Sequence, residues 1–134
     1  MENCVFCKIV RSEIPAHIVY EDEHTLAFLD SKPNVPGHTL VIPKKHMQNI
    51  FDVDDETLAR VMHAARLVTL AVRDATGALG VHINSNHGAT AGQIVFHLHI
   101  IPRHDRSEFE FWPHSDGASA EATTIAEKIR QAFA

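Results

Sequence analysis

Gly92-Gln93-Ile94-Val95-Phe96-His97-Leu98-His99-Ile100-Ile101-Pro102-Arg103 alternates strand-forming residues with two histidines. Side chains repeat every two residues along a β-strand, so the stretch predicts a strand that carries both imidazoles on one face. Paired imidazoles serve chemistry, a buried hydrogen-bonded pair or half of a metal site. The segment by itself leaves all three open.

Working outward, residues 86–92 (Asn-His-Gly-Ala-Thr-Ala-Gly) read as a loop, and Val81 to Asn84 as the strand before it. Upstream, Asp54-Asp55-Glu56 place acidic groups where a helix begins, and Leu58, Val61, Ala65, Val68 and Val72 recur at three- and four-residue steps. Gly77 and Gly80 close this one long helix. Residues 38–43 (His-Thr-Leu-Val-Ile-Pro) predict another strand, entered from a loop dense in turn formers, residues 30–37. Residues 18–20 and 25–29 flank a polar tetrapeptide and predict a hairpin. Residues 8–14 predict a short helix stopped by Pro15. A tail with Trp112-Pro113 leads to a final helix from about Ser119, with Ile125, Ile129 and Phe133 on one face. Hairpin-like order with one long helix gives an α+β fold on a five-stranded antiparallel sheet with short terminal helices.

The 134 residues are expected to form a single domain, 1–134, with no linker, repeat or low-complexity tract. A formal charge of −5 with scattered Lys and Arg argues against a nucleic-acid partner. No apolar run approaches the roughly 18 residues that span a bilayer, and Met1-Glu2-Asn3-Cys4 resembles no signal peptide, so the expectation is a cytoplasmic protein without membrane attachment. Cys4 and Cys7, the only cysteines, form a Cys-x-x-Cys pair, which in a reducing compartment favours metal or redox chemistry over a structural disulfide. Of the eleven histidines, His17, His24, His63, His104 and His114 sit in polar or loop-like surroundings.

Cys4, Cys7, His46 and His97 make two thiolates and two imidazoles, a tetrahedral zinc set with no open position and hence a structural site. Free thiols are the alternative. A neutral imidazole is a competent nucleophile toward phosphorus, since its ordinary pKa of about 6.5 leaves much of it unprotonated near neutrality. The loop from Asn86 to Gln93, with Gly88 and Gly92, offers backbone N–H groups for a phosphate cradle, or is a plain turn. Asp30 opens its loop either as an acceptor for a ribose diol or as a turn cap.

Several blocks together resemble the histidine triad (HIT) family, in its Hint-like nucleotide-binding branch. They are Cys-Val-Phe-Cys-Lys-Ile at the start, Ala27-Phe28-Leu29-Asp30, the run from Pro36-Gly37-His38 through Lys45-His46, Asn86-x-Gly88, and Gly92-Gln93 through Pro102-Arg103. The resemblance runs from about residue 3 to 113. It implies a homodimer with a continuous sheet and cleavage at the α-phosphate of a purine nucleoside phosphoramidate or related conjugate, through a nucleotidyl-histidine intermediate. It also implies that Phe6, Ile9, Ile14 and Phe28 wall the base pocket and that Asp30, with Ser31 beside it, holds the ribose. Asn86, Gly92, Gln93 and Ile94 would meet phosphate, His38 would stand behind the nucleophile, and Trp112 would reach toward the partner's site. Structural zinc is the implied cofactor, with no organic one.

One departure matters. The family pattern carries three alternate histidines after Gly-Gln, whereas this chain has two in a segment two residues shorter. Counted forward from Gln93, His97 is the first histidine and completes the zinc set, His99 is the nucleophile with a ring nitrogen on a backbone carbonyl, and Ile101 replaces the third. Counted back from Pro102, His97 is the nucleophile, His99 the third histidine, and Val95 replaces the first. The forward count is the expectation because it closes the metal site. Competing functions are a catalytically weakened nucleotide-binding module, a dinucleoside polyphosphate hydrolase, and a plain zinc-stabilised interaction domain.

Overall fold

A computed structural model describes residues 3–133; Met1, Glu2 and Ala134, the ends of the expected 1–134 domain, lie outside the described residues. Five strands, β1 (Ile18–Glu21), β2 (Thr25–Leu29), β3 (Thr39–Pro43), β4 (Gly80–Asn84) and β5 (Leu98–Arg103), form one antiparallel sheet in the order β1-β2-β3-β5-β4. The long helix α2 (Asp55–Thr76) packs across one face. Its start is capped by the Asp54 carboxylate, which accepts from the Thr57 N–H, and its end by Gly77 in the left-handed conformation. The stripe expected from periodicity is the buried one: Val61, Ala65, Val68 and Val72 lie in the core, with Ala64 added and Leu58 at the margin.

Alternation along the strands sorts the sheet's two faces. Ala27, Val41, Leu98 and Ile100 point toward α2, while Leu26, Phe28, Leu40 and Ile42 point the other way, under α1 (Val5–Val10). Each of the larger apolar side chains contributes about 1.5–3 kcal/mol on burial. His99 pairs with Leu40 across β3 and with Asn84 across β4. It therefore shares Leu40's face, opposite the long helix.

Three local expectations are corrected. The first helix begins earlier than residue 8, because Cys4 caps it, its sulfur accepting from the Cys7 N–H at 3.4 Å; it ends before Ser12, whose φ of +60° breaks it. The histidine strand starts only at Leu98, leaving residues 94–97 irregular, so His97 stands just outside the strand that holds His99. The last helix, α3 (Ala122–Ala132), follows a 3₁₀ turn, Ala118–Glu121, and its Ile125, Ile129 and Phe133 are exposed. No described helix is long and apolar enough to cross a membrane.

Candidate active site and metal cluster

The loop between β2 and β3 folds back so that the Asp30 N–H donates to the His38 carbonyl at 2.9 Å, setting Asp30 and His38 side by side at the sheet end. Gly37 makes the turn possible: its φ is +94°, and a Cβ there would lie 2.9 Å from Thr76 and 3.2 Å from Pro102. His38 is buried and meets His99, which meets His97 in turn.

Hydrogen-bond partners fix the protons on all three rings. The Asn34 backbone N–H donates to His38 Nδ1 at 2.9 Å, so a neutral His38 carries its proton on Nε2. That proton faces His99 Nδ1 at 2.9 Å, which must accept, leaving the His99 proton on Nε2. His99 Nε2 lies 3.1 Å from His97 Nε2. The His97 Nδ1 is 2.8 Å from the Val95 carbonyl, which can only accept. His97 therefore keeps Nδ1–H and presents an Nε2 lone pair. The Gln93 amide nitrogen stands 2.8 Å from His99 Nε2 while its oxygen is buried without a partner. Turning the amide lets the oxygen accept the His99 proton and removes a meeting of two donors.

Burial is the largest influence on all three histidines and pushes each below the ordinary imidazole range, against smaller opposing pulls from Asp30 and, at His97, from the Val95 carbonyl. All are neutral at pH 7. The Asp30 carboxylate lies 3.5 Å from His38 Nε2 and accepts from the Lys32 N–H at 2.9 Å.

The geometry departs from the forward count at two points. A ring nitrogen on a backbone carbonyl was expected for His99, yet it belongs to His97; His99 Nδ1 rests on His38 instead. Nor does His97 join the candidate metal ligands. Cys4, Cys7 and His46 alone come together among the described residues, their ligand atoms all within 4.8 Å and Cys7 Sγ 3.1 Å from His46 Nδ1. Two sulfurs and a nitrogen at that spacing fit zinc, whose bonds to them run about 2.0–2.3 Å. Burial and the neighbouring Cys4 push the Cys7 thiol up.

Other expected site residues divide by position. Phe28 and Ile9 are buried beneath the site, while Phe6 and Ile14 are half-buried against them. Phe6 sets its ring edge-to-face on Phe28 at 5.7 Å and on His97 at 5.0 Å. Ser31 is exposed beside Asp30, and Asn86 is half-buried in the loop before β5. Gly92, left-handed with φ +93°, closes a 3₁₀ turn, Ala89–Ala91, just before Gln93; Ile94 projects into solvent. Trp112 is exposed. His82 accepts from Arg103 on the sheet, and His87 stacks on Phe96, as strand-surface and loop residues. Asn34 was not anticipated, because it acts through its backbone N–H, which no side-chain pattern signals.

The HIT domain family model matches residues 11–106. The chain is 47% identical over 109 residues to Protein hit of Bacillus subtilis, covering 80% of this chain and 75% of that one. It is 41% identical over 106 residues to adenylylsulfatase HINT3 of Arabidopsis thaliana, covering 78% of this chain and 54% of the relative. Among solved structures it resembles a Zn-bound histidine triad family protein from Mycobacterium smegmatis, with TM-score 0.77, 35% identity and 98% of each chain covered. With its sheet, its helix and its histidine cluster in place, this chain belongs to the HIT domain family.

Proposed function

We propose that this protein is a nucleotidyl hydrolase or transferase acting at the α-phosphate of purine nucleoside phosphoramidates or related conjugates, with His97 as the nucleophile. The observation that carries the reading is the His97 Nε2 lone pair, aimed by the Nδ1–H···O=C bond to Val95 and set 3.1 Å from the His99 Nε2–H. His97 Nε2 bonds to phosphorus as the P–N bond breaks, and the leaving amine takes a proton from water in the cleft. The hydroxide so formed attacks the nucleotidyl-histidine, releasing the mononucleotide and restoring the lone pair. His99 Nε2–H then serves as a donor to the phosphoryl oxygens, where negative charge gathers.

Around this centre Phe6 and Ile14, backed by Ile9 and Phe28, receive the base, and Asp30 with Ser31 receives the ribose. Asn86, Gly92, Gln93 and Ile94 border the phosphate. Cys4, Cys7 and His46 would hold zinc, which there would brace the first helix against the turn after β3. A homodimer with a continuous sheet is supported by β4, an edge strand with Ile83 exposed, and by exposed Met62, Leu67 and Leu70 on α2. A cytoplasmic location and a single domain complete the proposal.

A second reading, a nucleotide-binding module with slow turnover, draws on one observation. Because His99 Nδ1 accepts from His38, His99 resists the second proton that would make it an acid for the leaving group. The test is to mix the protein with adenosine 5′-phosphoramidate, quench in alkali and weigh the protein. The expected result is an adenylyl adduct on His97 with AMP in solution. Thermal stabilisation by AMP without adduct or turnover favours the module, and no stabilisation at all defeats both readings.

A further inference from the structure

The cluster of Cys4, Cys7 and His46 offers a metal three ligands, and zinc fills four positions. No fourth histidine, cysteine or carboxylate joins it among the described residues. Beside it stands Val95, which shares with Cys4 and His46 the wall of a cleft of about 660 Å³, and with Cys7 and His46 the wall of a smaller internal space. An isopropyl group has no lone pair. The segment is pinned there by the Phe96 N–H, which donates to the Met47 carbonyl at 2.9 Å, one residue beyond His46. The next imidazole, His97, has both nitrogens occupied elsewhere. The Asn49 side-chain oxygen, also on the cleft, accepts from the Phe51 N–H at 2.8 Å.

We propose that the metal held by Cys4, Cys7 and His46 keeps an open fourth position toward this cleft and takes an exogenous ligand there, water at rest and a small thiolate when one is supplied. The inference rests on the metal reading above. Sulfur suits a metal already held by two thiolates, and the alkyl part of a small thiol meets the apolar wall of Val5, Phe6, Ile94 and Val95. In the exchange a metal–sulfur bond forms, the metal–water bond breaks, and the thiol proton goes to solvent. Nothing is oxidised or reduced.

The experiment loads the full chain with Co²⁺, records its visible and near-ultraviolet spectrum, and titrates 2-mercaptoethanol, with retained cobalt checked after desalting. The expected result is a saturable change in the visible bands and a rise of about 1.5-fold in thiolate-to-metal absorption, as two thiolates become three. In Val95→His the supplied imidazole closes the site. Its spectrum stays fixed under thiol, and its metal affinity rises by at least the roughly tenfold that even an outer-shell partner is worth. A wild-type spectrum indifferent to thiol, or cobalt stripped by the thiol, overturns the open position while leaving the metal reading intact. Failure to bind Co²⁺ or Zn²⁺ overturns both. The wild-type titration decides the matter even if Val95→His does not fold.

Discussion

Two clusters flank the short segment between Gln93 and Leu98. Around His97 every ring nitrogen of three histidines has a partner, and the protons run in one direction, from the Asn34 N–H through His38 and His99 to the His97 lone pair. Around Cys7 three soft ligands converge, but the segment presents a valine to them. The difference lies in where a chain two residues short of the family pattern absorbs its loss. β5 keeps its pairing with β3 and β4 from Leu98 onward, with core residues Leu98 and Ile100 set against α2. The shortage is therefore passed to residues 94–97, next to the cysteines. On the proposed reading, the histidine cluster is kept at the expense of a fourth metal ligand.

The largest expected effect separates the clusters directly. His97→Ala should lower AMP release from adenosine 5′-phosphoramidate by about 10⁴-fold or more, as removal of a covalent nucleophile does. His99→Ala should lower it by about 10²- to 10³-fold, the scale of a lost proton-bearing partner. Metal content and circular dichroism should stay unchanged in both. If His99→Ala were the dead variant and His97→Ala shed its metal, the two clusters would have exchanged a residue and the comparison would reverse.

This exchange is also where the sequence was least legible. The five strands were readable from strand-forming runs bounded by turn formers, and the long helix from its three- and four-residue apolar steps; Val61, Ala65, Val68 and Val72 face inward as expected. The Cys4–Cys7–His46 grouping was readable from ligand type. The roles of His97 and His99 were not, because both counts keep the same strand parity and side-chain alternation cannot tell them apart. The proposed assignment rests on backbone instead: the Val95 carbonyl on one ring, the Asn34 N–H behind another, and the Phe96–Met47 bond that fixes Val95 near His46. Main-chain partners leave no trace in residue identity. The early start of α1 was missed for a similar reason, since a cysteine acts there as the helix cap.

A smaller effect follows from protonation. His38, His97 and His99 titrate below the ordinary histidine value of about 6.5 because of burial. The His97 lone pair should therefore persist at pH 6.5, with turnover falling only in more acidic solution, by roughly tenfold per pH unit once below the lowered value. The stability sign is the same. The unfolded chain takes up protons first, so the contribution of these rings is intact above about pH 6.5 and is lost as pH falls from there through the lowered folded values. Melting temperature measured from pH 7.5 to 5 should drop with acid, and His97→Ala should flatten that slope. A wild-type activity midpoint above pH 6.5 would mean that the rings are not desolvated as their burial indicates.

The smallest effect tests the direction of the proton chain. Gln93 touches His99 and no metal ligand, so Gln93→Ala should remove one hydrogen bond, about 0.5–1.5 kcal/mol or roughly 2- to 13-fold in turnover, with the cobalt spectrum unmoved. Imidazole ¹⁵N resonances of the wild type should show protons on His38 Nε2, His99 Nε2 and His97 Nδ1. In the variant the His97 pattern should persist, because the Val95 carbonyl alone holds it, while the His99 Nε2 proton, relieved of one acceptor, should exchange faster with water. A His99 proton found on Nδ1 would instead leave two donors facing each other at His38, or force His38 to give up the Asn34 N–H. Either would break the chain at its buried end, where a lost partner is most costly.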